Sequence, residues 1–124
     1  MEENQLTEVA MNVILAAGDA RECCTKALKS AREGDFVQAE TLMKQAHENI
    51  VQAHNAQTEV IQGEARGEKT ELCLLFIHAQ DTLMTIMSEL NMAGEMIQMY
   101  KLIYNKEALS LIHISEPTRL GMIS

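Results

Sequence analysis

Apolar residues return at every third or fourth position for about a hundred residues, and no proline interrupts them before Pro117. A spacing of three and four is the period of a helix face, whereas a half-buried strand alternates every second residue. The first stripe is Leu6, Val9, Val13, Ala16, Ala20, Cys23, Ala27 and Ala31. The second is Phe36, Ala39, Leu42, Met43, Ala46, Ile50, Ala53, Gln57, Val60 and Ile61. The third is Leu72, Leu75, Ala79, Leu83, Ile86, Leu90, Ala93, Ile97 and Tyr104. Between the first two stand Glu33-Gly34-Asp35, where Gly34 suits the left-handed end of one helix. Asp35 suits the N-cap of the next, with Gln38 as its capping-box partner. The polar run Gly63 to Glu68 separates the second stripe from the third. Three long helices follow, near 5–32, 36–62 and 69–105. Short connections between them predict an all-α, up-down-up antiparallel three-helix bundle.

Composition agrees and removes several functions. Four aromatics and no Trp among 124 residues disfavour a β-sandwich or barrel. Eighteen acids against 10 bases leave a net charge of −8, which argues against a nucleic-acid binder. The longest apolar run, Leu72 to Ile77, is six residues, far short of the ~20 that span a bilayer. The opening Met1-Glu2-Glu3-Asn4 lacks the basic start of a signal peptide. Cys23, Cys24 and Cys73 are odd in number and suit a reducing compartment. With no CxxC pair and no HExxH, a Cys/His zinc site is not expected. A cytoplasmic location is therefore the expectation.

The third helix differs from the others. Between residues 72 and 100 it carries only Asp81, Glu89 and Glu95 as charges. Cys73, Leu74, Phe76, Ile77, Met84, Met87, Met92 and Met96 lie off its main stripe. A helix apolar all round is buried all round, and two partner helices cannot cover it. The remaining face is therefore expected to meet other copies of the chain.

Among the four histidines, His47 and His54 read as solvated positions on the second helix. His78 interrupts the most apolar segment of the chain. Its face of the third helix also carries Glu71, Leu74, Asp81, Thr82, Thr85 and Ser88. Three readings fit this polar strip. His78 and Asp81 can be a satisfied i,i+3 pair within a core. They can belong to a metal site. Or His78 is a nucleophile at a groove between subunits, since neutral imidazole attacks phosphorus or acyl centres well.

Gly18-Asp19-Ala20-Arg21, Ala31-Arg32-Glu33-Gly34-Asp35-Phe36, Ala53-His54-Asn55-Ala56-Gln57-Thr58-Glu59 and Ile77-His78-Ala79-Gln80-Asp81, followed by Leu83-Met84-Thr85, run in order along most of the chain. Together they resemble enzyme IIA of the lactose/cellobiose-type sugar phosphotransferase system. The resemblance favours the nucleophilic reading of His78. It implies a phosphocarrier that accepts a phosphoryl group from phospho-HPr on Nε2 of His78. The group would then pass to a cysteine of the cognate IIB component during uptake of a β-glucoside, chitobiose or lactose through a membrane IIC channel. It further implies a homotrimer with the third helices about the axis. Asp81 of each subunit would there bind a divalent ion, usually Mg²⁺. Three carboxylates at one axis repel, and a hard dication with oxygen ligands offsets the repulsion.

Thr82 departs from the family, which commonly has a second histidine at that place. As the i+4 neighbour of His78 it can offer a hydroxyl to a phosphoryl oxygen but no imidazole. Gln80 sits about 200° around the helix from His78 and has no assigned role. The domain is expected over residues 1–105, with a tail outside the family over 106–124. From Leu109 on the tail resembles translated adapter read-through, so His113 is expected to carry no function. Two other readings compete. A histidine phosphotransfer domain of two-component signalling usually has Lys and then Gly soon after its histidine, whereas Ala79 to Leu83 contain neither. A non-catalytic bundle adaptor would use His78 only as a polar group in a core.

Overall fold

A computed structural model describes residues 2–68 and 73–115 as three helices, with no strand among them: α1 (Glu3–Arg32), α2 (Phe36–Ala65) and α3 (Leu74–Ser115). No helix of the described residues is long and apolar enough to cross a membrane.

The helix ends follow from local chemistry. Asp35 caps α2 by accepting from the Gln38 backbone N–H at 3.1 Å, so Gln38 contributes its main chain to the cap. Gly34 stands at φ +87°, and two bonds close the end of α1. They run from the Gly34 N–H to the Ala31 carbonyl at 3.0 Å and from the Asp35 N–H to the Ser30 carbonyl at 2.9 Å. That pair of bonds satisfies carbonyls the helix would otherwise leave open. The end of α2 repeats the device at Gly67, at φ +89°, with Gly67 and Glu68 donating to Glu64 and Gly63 at 3.0 Å each. The second helix therefore runs past residue 62 to Ala65. Gly67 terminates it because Gly67 takes the left-handed conformation, whereas Gly63 stays helical and buried.

The buried residues keep a strict alternation of three and four. On α1 they are Leu6, Ala10, Val13, Ala17, Ala20, Cys24, Ala27 and Ala31. This corrects the sequence stripe at three places, since Val9, Ala16 and Cys23 are only half-buried beside them. Apolar neighbours in adjacent positions made the two registers look alike, and only packing against the partner helices separates them. On α2 the core takes Ala39, Met43, Ala46, Ile50, Ala53, Val60 and the polar Gln57, while Ile61 is exposed. On α3 it takes Phe76, Ala79, Leu83, Ile86, Leu90, Ala93 and Ile97. Phe76 thus belongs to the core rather than off the stripe, Leu75 and Tyr104 flank it half-buried, and Leu72 lies outside the described residues. A spacing averaging 3.5 keeps such a seam on one side over many turns.

Cross-helix contacts set the alignment. Thr7 meets Cys73 with Oγ1 4.0 Å from Sγ, Arg21 pairs with Glu89 at 2.6 Å, and the Tyr104 hydroxyl donates to the Arg32 carbonyl at 2.8 Å. Contacts between α1 and α3 therefore advance together along both helices. Lys101 of α3 reaches back to Glu40 near the start of α2 at 2.6 Å. Tyr104 also stacks edge-on against Phe36, with ring centroids 5.4 Å apart, closing the bundle over the Gly34 turn.

Helix α3 does not end near residue 105 but continues to Ser115. No helix breaker precedes Pro117, and only the residue before a proline is driven from helical geometry. The lack of a stripe after Leu109 is not in itself a signal that ends a helix.

Gly34 and Gly67 give a paired prediction. A methyl on Gly34 would sit 2.7 Å from Tyr104 Cε1, whereas one on Gly67 would meet nothing within 4 Å. Gly67→Ala should cost about 1–2 kcal/mol through backbone strain alone, and Gly34→Ala more, in chemical denaturation at one protein concentration. The Arg21–Glu89 pair gives another. The hydrogen bond from Arg21 holds the Glu89 carboxyl below its ordinary value. Its stabilisation is present above the ordinary carboxylate range and lost as pH falls through the lowered folded-state value. Both side chains are more than two-fifths exposed, so the effect is below about 1 kcal/mol. Glu89→Gln should remove that acid-side dependence from a stability–pH profile.

Candidate functional site

One face of α3 is spent on the core, and the opposite face is open. Outward stand Leu74 (80% exposed), Ile77, Met84, Met92, Met99 and Leu102, a line of large apolar side chains without cover in a single chain. Leu74, Asp81, Ser88, Glu95 and Leu102 fall on it at intervals of seven, so the outward face has a seam of its own with the same period as the buried one. The sequence reading of an all-round apolar helix is thus resolved into two seams, one filled by α1 and α2 and one unfilled.

His78 and Asp81 are both exposed on this outward side, and Thr82 is half-buried at its edge. Their neighbour Ala79 is fully buried, so the core anchors the turn that presents them. His78 and Asp81 share a face but make no hydrogen bond or ion pair with each other, and among the described residues neither has such a partner. The satisfied-core-pair reading of these two is therefore not realised: they stand in solvent, without the burial that would demand pairing.

Thr82 carries a hydroxyl that its own helix leaves unused. Thr25 and Thr41 return their hydroxyls to the carbonyls of Arg21 and Val37 at 3.0 and 3.1 Å. No such bond engages Thr82 or Thr85 among the described residues. Gln80 is half-buried on the flank away from His78. Glu71, placed on the His78 strip by the sequence, lies outside the described residues, as do the side chain of His113 and the tail beyond Ser115.

His47 and His54 are exposed on α2, as expected, with His54 Nδ1 3.4 Å from the Thr58 hydroxyl. The cysteines are free thiols, and burial of Cys24 pushes its thiol up, away from reactive thiolate character. Among the described residues of one chain, no three His, Cys, Asp or Glu side chains converge to hold a metal ion. Asp81 offers a hard carboxylate donor of the type that Mg²⁺ accepts.

The resulting arrangement is an exposed imidazole on a core-anchored helix, with a carboxylate one turn on and an unengaged hydroxyl nearby. Comparison with known proteins places the chain as a whole. The family described as PTS system, Lactose/Cellobiose specific IIA subunit matches residues 8–101. The lichenan-specific phosphotransferase enzyme IIA component of Bacillus subtilis is 38% identical over 107 residues, 86% of this chain and 97% of that protein. The crystal structure of the cellobiose-specific enzyme IIA of Bacillus anthracis superposes with a TM-score of 0.76 at 43% identity, covering 80% of this chain and 91% of that one. A solution structure of the Escherichia coli IIA(chitobiose)–HPr complex contains a chain matching with a TM-score of 0.71 at 36% identity, over 80% of this chain and 96% of that one. With its three helices, its exposed His78 and a family match over most of its length, this chain belongs to the lactose/cellobiose-specific IIA family of the sugar phosphotransferase system.

Proposed function

We propose that this chain is a cytoplasmic phosphocarrier in which His78 is the residue that carries the phosphoryl group. The observation that supports it most directly is the exposure of His78 within the family-matched helix. The lone pair of a neutral imidazole Nε2 attacks phosphorus on phospho-HPr. The bond to the donor breaks, and its electron pair leaves with the donor. The phosphohistidine then gives the group to a cysteine thiolate of the cognate IIB protein, restoring neutral His78. Phosphoryl transfer of this kind depends on positioning and charge, which a solvent-facing imidazole on a core-anchored helix supplies. Thr82, i+4 from His78, supports the group by donating its unengaged hydroxyl to a phosphoryl oxygen. The acidity of the chain, net −8, favours a basic docking face on its donor.

The protomer is read as an up-down-up bundle that assembles as a homotrimer through the outward seam of α3. The aligned contacts of α1 with α3, and of the start of α2 with the latter part of α3, support that topology. The uncovered line from Leu74 to Leu102 supports the assembly. On a three-fold axis along this seam, Asp81 of each subunit would hold Mg²⁺ or another divalent cation. Bound there, the ion would neutralise three carboxylates that otherwise repel.

Phosphoenolpyruvate, enzyme I and HPr should label the wild-type chain with one acid-labile, base-stable phosphate at His78. His78→Ala should accept none, and equal labelling of that variant would defeat the carrier reading and leave a bundle adaptor. Thr82→Val should slow transfer by about tenfold or less, the effect of one hydrogen bond to a charged oxygen, with the site of labelling unchanged. Light scattering should give about three times 13.8 kDa. Asp81→Leu should keep or strengthen the trimer while abolishing divalent-ion binding, and its dissociation into monomers would refute the axial position of Asp81.

A further inference from the structure

A groove of about 410 Å³ lies between α2 and α3, away from the His78 strip. It sits beside Gly94, sixteen positions beyond His78 on α3 and so about 24 Å along the helix axis. Its floor is apolar, made by Met43 and Ile97, and Gly94 leaves that floor open, because a Cβ there would meet nothing within 4 Å. Its rim is basic. Lys44, His47 and Lys101 all line it in a chain whose net charge is −8. One acid is present, Glu40, and it is already engaged by Lys101 at 2.6 Å. Among the described residues Lys44 enters no ion pair.

From this geometry we infer that the α2/α3 groove is a binding site for a small amphipathic anion, with its apolar body over Met43, Gly94 and Ile97 and its head at Lys44 and His47. The volume falls in the range of small-ligand sites, which are mostly apolar with a few polar groups fixing orientation. Burying an alkyl or aryl body supplies the affinity, at about 25 cal/mol per Å² of apolar surface removed from water. The lysine supplies a charge-assisted contact that selects carboxylate, sulfonate or phosphate heads. The Lys101–Glu40 pair holds the far rim and ties α2 to α3 across the groove. The site is independent of phosphoryl transfer at His78, and its ligand would report a second chemical signal to the same protein.

Hexyl phosphate titrated into the full-length, isotope-labelled chain tests it by amide shift mapping. Shifts centred on residues 43–47 and 94–101 are expected, with inorganic phosphate and hexanol each binding about tenfold or more weakly. Lys44→Gln should weaken hexyl phosphate by about fivefold or more. Gly94→Leu should fill the floor and abolish binding. It should also fold at least as stably as the wild type, because glycine is a poor helix former and the added Cβ meets nothing within 4 Å. His78→Ala should bind hexyl phosphate as the wild type does, whether or not the carrier reading holds. The inference is overturned if Gly94→Leu binds unchanged, if inorganic phosphate binds as well as hexyl phosphate, or if the shifts map instead to the outward seam around Met84 and Met99.

Discussion

Helix α3 can give only one of its faces to α1 and α2, and the face left over carries His78, Asp81 and an uncovered apolar line. Phe76, Ala79, Leu83, Ile86, Leu90, Ala93 and Ile97 are buried, and their spacing places His78 and Asp81 outward as a matter of geometry. A residue proposed to accept a phosphoryl group and pass it on must be reachable by two different partners in turn, and His78 is exposed. It must also hold still, and the fully buried Ala79 and Leu83 provide that rigidity from behind. The same helix thus separates anchoring from access around its circumference.

Packing of the other two helices follows the logic of small residues. Ala10, Ala17, Ala20, Ala27 and Ala31 on α1, with Ala39, Ala46 and Ala53 on α2, let backbones approach closely while costing little side-chain entropy. Such a seam buries less apolar surface per residue than one of leucine, so stability rests on continuity along thirty-residue helices and on well-closed ends. The Gly34 turn, roofed by Tyr104 and Phe36, is one such closure. Gln57 is the exception in the core: its side-chain oxygen is buried with no hydrogen-bond partner among the described residues. A lone polar group in a seam lowers stability while opposing any shift of register, because a slip would leave it worse placed.

Much of the fold could be read without coordinates. The Asp35 cap, the Gly34 turn and three helices of the right order were legible because capping and glycine conformations depend on a few neighbouring residues. Register was less so on α1, where Val9 against Ala10 and Cys23 against Cys24 are equally apolar, and only the partner helices distinguish them. The far end of α3 was not legible because periodicity reports burial, and loss of a stripe is not a helix-ending signal. At the site, His78 was singled out by its place in an apolar segment. Its freedom from Asp81 was not readable, since residues three apart on a helix can pair or stand apart according to what surrounds them.

By itself the sequence determined the helical class, the helix order and which histidine interrupts the apolar helix. These follow from local period and residue type. The tertiary structure alone decided which of two neighbouring stripes enters the core, which leaves Met84, Met92, Met99 and Leu102 uncovered, and where α2 and α3 part to open a basic-rimmed groove. Those outcomes depend on how three surfaces share one limited interior, a competition between distant segments that no single stretch of chain encodes.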